Sequence, residues 1–164
     1  MSMKKEKFPA TPATRWLQAQ GVTFSGHLYP YEDRGGTAHS ARCLGVDEHQ
    51  VIKTLIMENE HRQALIVLMH GDRQVSTKEL ARLLGVKSIA PCAPAVADKH
   101  SGYQVGGTSP FATRKVMPVY LQASILDLAL IYVNGGKRGF LISLPPAEVQ
   151  RLLQPTLVNV AIED

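Results

Sequence analysis

Apolar residues along this chain come in short runs broken by glycine and proline, and the period changes from run to run. Thr11-Pro12 joins a good N-cap to the residue best suited to a first helical position. Ala13, Trp16, Leu17 and Gln20 follow, and Gly21 closes the helix. Residues 22–29 alternate as a strand, and a second short helix from about Thr37 to Leu44 stops at Gly45. Residues 51–57 and 64–69 are rich in β-branched residues and leucine. The polar Asn59-Glu60-His61-Arg62 between them predicts a hairpin. Ser76-Thr77-Lys78-Glu79 reads as a capping box. Its helix carries Leu80, Leu83 and Leu84, ends at Gly85, and leads into a short strand at 87–90. A short helix is expected from Pro94 to His100, and strands at 117–121, 125–126, 130–133 and 140–144, with Gly135-Gly136 as the turn between the last two. Pro145-Pro146 opens a final helix with Val149, Leu152 and Leu153, followed by a strand at 157–162; this unit weakly echoes the helix and strand of 76–90. The sum is a single strand-rich α+β domain, its mixed sheet curled toward a barrel and surrounded by helices. It is expected to span residues 11–164, with residues 1–10 as a flexible N-terminal tail.

A chain of 164 residues supports one substantial core. No apolar run approaches the roughly 20 residues of a membrane span, and no signal-peptide core follows the basic N-terminus. The expectation is a cytoplasmic protein with no membrane partner. A formal charge of +4 tolerates a polyanion without demonstrating one. Cys43 and Cys92 form no CxxC or other metal-ligand spacing, so buried, inert thiols are expected. His27, His39, His49, His61, His70 and His100 show no HExxH spacing and no Cys/His cluster. Neither a metal nor another cofactor is expected.

Two features carry candidate chemistry. One is the glycine pair at Gly106-Gly107 together with the pair at Gly135-Gly136, the latter followed by Lys137 and Arg138. A glycine pair admits positive φ and close backbone approach to a ligand, and successive N–H groups can form an anion-binding concavity. Either pair alone also fits an ordinary tight turn. The other feature is Lys53, within the apolar run Val51-Ile52-Lys53-Thr54-Leu55-Ile56. Alternation puts it on the face opposite Ile52 and Thr54. It is either a solvent-facing strand residue or a cation held for a carboxyl, ester or phosphate oxygen. No G-x-S-x-G elbow supports a serine triad, and nothing in the sequence near either cysteine would lower its pKa.

Thr11-Pro12-Ala13, Lys53-Thr54-Leu55, Gly102-Tyr103-Gln104-Val105-Gly106-Gly107-Thr108-Ser109-Pro110 and Tyr132-Val133-Asn134-Gly135-Gly136-Lys137-Arg138-Gly139 occur in order. With these motifs the chain resembles the YbaK/EbsC family of aminoacyl-tRNA deacylases, over about residues 11–162. These are free-standing relatives of the editing domain inserted in bacterial prolyl-tRNA synthetase. The resemblance implies a trans-editing deacylase acting on mischarged tRNA, most like the subfamily for cysteinyl-tRNA carrying the proline anticodon. Another small acyl group such as alanine, or a non-catalytic tRNA- or nucleotide-binding module, are the alternatives. It implies tRNA as partner, with prolyl-tRNA synthetase as a candidate second one. By resemblance, Lys53 holds the substrate near the 3′-terminal adenosine, and the N–H groups of Gly106 and Gly107 face the scissile ester. Tyr29 belongs to the substrate pocket, and Thr108 and Ser109 extend the first glycine motif beside it. Gly135, Gly136, Lys137 and Arg138 form the second glycine turn near the pocket. In the cysteine-specific relatives the substrate's own thiol attacks the ester. Two departures concern the acyl pocket: the segment from Pro30 to Ala38 looks short and without the usual aromatic, and Leu141 stands where relatives often carry a polar or acidic residue.

Overall fold

The longest apolar stretch folds as the central hairpin of the computed structural model, which describes residues 8–163. Strand β2 (Ile52–Asn59) pairs antiparallel with β3 (Ala64–His70), Lys53 lying opposite Met69. Every residue of β3 is buried. Two-residue alternation splits its side chains between two cores. Ile66 and Leu68 join Ile52 and Ile56 in the larger core, and Leu65, Val67 and Met69 join the smaller one.

Around this hairpin the chain runs through α1 (Pro12–Ala19), β1 (Ser25–Leu28), α2 (Gly36–Leu44), β4 (Arg73–Val75), α3 (Thr77–Leu84), β5 (Ile89–Pro91) and α4 (Pro94–Ser101). It then forms β6 (Val119–Gln122), β7 (Ile131–Lys137), β8 (Phe140–Leu144), α5 (Pro146–Leu153), β9 (Thr156–Val158) and β10 (Ala161–Glu163). A five-stranded sheet has the order β5-β2-β3-β6-β9, with β3–β6 and β6–β9 parallel. A three-stranded antiparallel sheet has the order β1-β8-β7, and β4 pairs with β10. The first two sheets meet at a parallel bridge between Val51 and Tyr132. The α+β class with a mixed sheet is as expected; the curl leaves separate sheets rather than a closed barrel.

Several local expectations change. Gly135-Gly136 is not the turn: both glycines lie inside β7, at a bulge between Asn134 and Lys137, and Arg138-Gly139 makes the reversal to β8. The Asn134 side chain accepts from the N–H groups of Gly136 (2.7 Å) and Lys137 (3.1 Å), supplying locally what a ladder would have supplied. Ile125 and Leu126 belong to a 3-10 helix at Ala123–Asp127, not a strand. The strand read at 22–29 is confined to β1, and that at 157–162 divides into β9 and β10. Ser76 caps the Glu79 N–H at 3.2 Å, but the Glu79 carboxylate turns to Arg82. The reciprocal box is at Thr11 and Thr14 instead. Residues 1–7 of the expected tail lie outside the described residues; Phe8 packs on Phe24 and Phe140, with ring centroids at 5.3 and 6.0 Å.

Among the described residues, His49, His70 and Asp72 gather potential ligand atoms within 4.8 Å of one another. The imidazoles are stacked, 3.7 Å apart and 7° from parallel, so no ion can lie in both ring planes. His70 also engages both nitrogens, with the His49 carbonyl at 2.8 Å and Ser124 Oγ at 2.7 Å. The cluster is a hydrogen-bonded joint between β3 and the residues leading into β2. Burial pushes the His70 pKa down. Between the folded value and the ordinary ~6.5 the unfolded chain binds the proton more readily. Stability is therefore full above that range and lost as pH falls through it. The melting temperature should drop as the buffer is taken below about pH 6.5, and His70→Gln should flatten that slope. A wild-type profile flat from neutral pH to about pH 5 would reject this.

Candidate active site at the seam of two sheets

A cavity of about 480 Å³ lies where the five- and three-stranded sheets meet. β5 pairs with β2 at Met57–Asn59, the Cys92 N–H reaches the Ile56 carbonyl at 3.0 Å, and the other end of the edge is bridged at Val51–Tyr132, so among the described residues 53–55 have no ladder partner on that side. Consecutive residues along this edge, Ile52 through Ile56, all line the cavity. Lys53 is among them and partly buried. Among the described residues it has no ion-pair partner. The same wall holds Thr54, whose Oγ1 is buried and has no hydrogen-bond partner among the described residues.

Across the cavity stand Gly106, Thr108, Asn134, Arg138 and Leu141. Gly106 has φ +93°, a conformation costly for any residue with a Cβ. Its N–H finds no acceptor among the described residues, whereas the Gly107 N–H donates to the Gln104 carbonyl at 2.7 Å. Of the two amides expected to face the substrate, only that of Gly106 is open. Gly107 is buried against the backbone of Lys137 and Arg138 and does not line the cavity. Two side chains from the end of β7 reach back to this loop. Arg138 Nε donates to the Val105 carbonyl at 2.9 Å, and Asn134 Nδ2 to the Gly106 carbonyl at 3.2 Å. The Arg138 guanidinium also sits over the Tyr31 ring, 5.0 Å from its centroid.

The cavity thus brings together Tyr29, Lys53, Gly106, Thr108 and Arg138 of the expected site residues. Ser109 is fully buried and accepts from the Phe111 N–H; Gly135 accepts from Thr11 through its carbonyl; Gly136 packs on Tyr103 and Thr11; Lys137 is exposed. These four and Gly107 lie behind or beside the wall rather than on it. Burial raises the Tyr29 phenol above its usual range. Sequence reading missed Tyr31 and His39, which also line the cavity. His39 holds the Pro30 carbonyl at 2.6 Å and Glu32 at 2.9 Å, pinning the 30–38 segment. No periodicity marks such a segment; an aromatic and a histidine beside Gly35-Gly36 were the available signal.

The model of the aminoacyl-tRNA editing domain matches residues 33–152. The chain belongs to this family. Over 98% of its length it is 25% identical to a protein of Enterococcus faecalis covered to 99%, which carries the provisional name Cys-tRNA(Pro)/Cys-tRNA(Cys) deacylase EbsC. It also matches an internal part of larger enzymes: 61% of the chain aligns at 29% identity with 16% of the proline–tRNA ligase of Streptococcus equi subsp. zooepidemicus. A solved structure described provisionally as a trans-editing enzyme for prolyl-tRNA synthetase shares the fold, with TM-score 0.83 and 20% identity, covering 94% of this chain and 99% of that one. The hypothetical protein APE2540 does so with TM-score 0.85 and 22% identity, over 93% of this chain and 100% of that one. No helix among the described residues is long and apolar enough to cross a membrane.

Within this editing domain the segment 30–38 contributes Tyr31 to the cavity wall. Leu141 is 4% exposed and lines the cavity, so the position is an apolar wall. The thiols differ from each other. Cys92 lines the cavity, but burial and then Glu58 push its pKa up to about 11, leaving it a neutral thiol near pH 7. Cys43 is exposed rather than buried, with Sγ 3.5 Å from His39 Nε2, and does not line the cavity. Replacing both by serine should leave turnover within about twofold of wild type, since neither supplies a thiolate to the cavity. A folded double variant without activity would overturn this.

Proposed function

We propose that this editing domain removes a small aminoacyl group from mischarged tRNA, and that cysteinyl-tRNA carrying the proline anticodon is its first substrate. The observation that carries the reading is one cavity lined by Lys53, with no ion-pair partner among the described residues, by Gly106, whose N–H finds no acceptor among them, and by Cys92 as a neutral thiol. Lys53 would hold the 3′-terminal nucleotide. The Gly106 N–H would stabilise the oxyanion; donors of this kind contribute about 2.7–4 kcal/mol in well-studied enzymes. The enzyme supplies geometry and the substrate supplies the nucleophile. The cysteinyl sulfur attacks its own carbonyl and the carbonyl–ribose C–O bond breaks. The ribose oxygen ends with the proton that the thiol gave up, and a thiolactone leaves. The name of the Enterococcus faecalis relative and the motif resemblance support this substrate. Prolyl-tRNA synthetase is the partner we propose for delivering the tRNA, from the similarity to its internal segment.

The test is a panel of tRNAs charged with cysteine, serine or alanine, each followed for loss of the acyl group with a thiolactone trap present. Cysteinyl-tRNA should be cleared far faster than the others, beyond the 10–200-fold that pocket shape alone gives between near-isosteres. Comparable rates on alanyl-tRNA, with no trapped thiolactone, would point to water as nucleophile. Binding without acyl loss on any tRNA would leave a non-catalytic module.

A further inference from the structure

Resemblance places Arg138 in the second glycine turn, beside the pocket. Its Nε is spent on the Val105 carbonyl and its guanidinium plane on the Tyr31 ring. A peptide unit is planar and trans, so its C=O and the following N–H point in opposite directions. The Val105 carbonyl belongs to the same plane as the Gly106 N–H. An arginine that pulls this carbonyl toward itself turns the Gly106 N–H away, toward the open side of the loop. Asn134 does the same for the next plane: it takes the Gly106 carbonyl, and the Gly107 N–H then closes onto Gln104. From α4, Asp98 Oδ1 accepts from the Val105 N–H at 2.9 Å, fixing the plane before. Three successive peptide planes are thus set by side chains from outside the loop.

We infer that Arg138 is a positioning residue, which with Asn134 aims the Gly106 N–H into the cavity. The second glycine motif is then a cradle for the first: the bulge at Gly135-Gly136 brings Asn134 and Arg138 to the carbonyls of Val105 and Gly106. Tyr31 completes the clamp by holding the guanidinium in plane, and Lys cannot replace Arg here, because an ammonium lacks the planar fork that donates and stacks together. The inference rests on the proposed use of Gly106 as oxyanion donor, but its first test does not.

That test is amide hydrogen exchange in the substrate-free protein. The Gly107 N–H reports the loop because it is buried and bonded within it. Arg138→Lys, Arg138→Gln and Asn134→Ala should each lower its protection by about tenfold or more, as local opening becomes easier. Unchanged protection in Arg138→Gln and Asn134→Ala would overturn the clamp. The second test is kinetic: Arg138→Lys should lose about tenfold or more in kcat with KM within about threefold, the mark of an interaction made only in the transition state. Its melting temperature and the salt dependence of KM should stay as in wild type. If Arg138 instead met a phosphate, Arg138→Lys would keep its rate and Arg138→Gln would raise KM and flatten the salt dependence, and the inference would fall. Should the wild-type protein clear no acyl-tRNA at all, the deacylase reading fails while the exchange data still decide the clamp.

Discussion

Lys53→Ala is expected to lose most deacylation and to leave the melting temperature nearly unchanged. Lys53 lines the cavity and has no ion-pair partner among the described residues, so its removal strands no buried partner there, which is the usual source of a large stability loss on deleting a charge. What disappears is the contact we propose to the 3′-terminal nucleotide. Single-turnover loss of the acyl group should slow by more than tenfold, or about 1.4 kcal/mol. Circular dichroism should report the wild-type fold. A rate within about twofold of wild type would remove Lys53 from the mechanism.

The second large effect separates two adjacent glycines. A Cβ on Gly107 would meet the Arg138 amide nitrogen at 2.6 Å and the Lys137 carbonyl carbon at 2.8 Å, both backbone. Neither can swing aside, so Gly107→Ala should cost about 1–3 kcal/mol of stability, the usual range for overpacking. A Cβ on Gly106 would meet the Tyr31 hydroxyl at 2.7 Å and Arg138 Nε at 3.2 Å, which are side-chain ends that can move. Those ends are the clamp, however, and the new methyl group would stand beside the open N–H. Gly106→Ala should therefore lose turnover by well over tenfold, measured far below its melting temperature. Its φ of +93° adds backbone strain, so its melting temperature should fall too, but its rate should fall far more than that of Gly107→Ala. Equal losses of rate and stability in both variants would make the loop an ordinary turn.

The parts legible in the sequence are those whose physics is local. Thr11-Pro12, Gly45 and Gly85 announce helix ends by their own backbone preferences, and the apolar runs on either side of Asn59-Glu60-His61-Arg62 announce a hairpin. β4 escaped because it has three residues, too few to show a period, and the break between β9 and β10 escaped for the same reason. Gly135-Gly136 was misread because a glycine pair suits a bulge as well as a turn. Only the partner strand distinguishes them. Of the site, Lys53 and Gly106 were visible as a misplaced charge and a glycine motif. Tyr31, His39 and Asn134 were not, since each acts through a backbone group far away in sequence or through a loop with no period of its own.

Leu141 sits at the joint between the two sheets. It packs with Val51 and Ala41 beside the Val51–Tyr132 bridge while its side chain faces the cavity. One residue is therefore both part of the cavity we propose for the substrate and a rivet in the wall. Evolution cannot retune the acyl pocket here without loosening or tightening the seam. A lineage that drifts toward a new amino acid through this position should register the change first in its thermal tolerance, with compensating substitutions gathering at Val51, Ala41 and Tyr132. Specificity in this fold is tied to the mechanical integrity of the seam between its sheets.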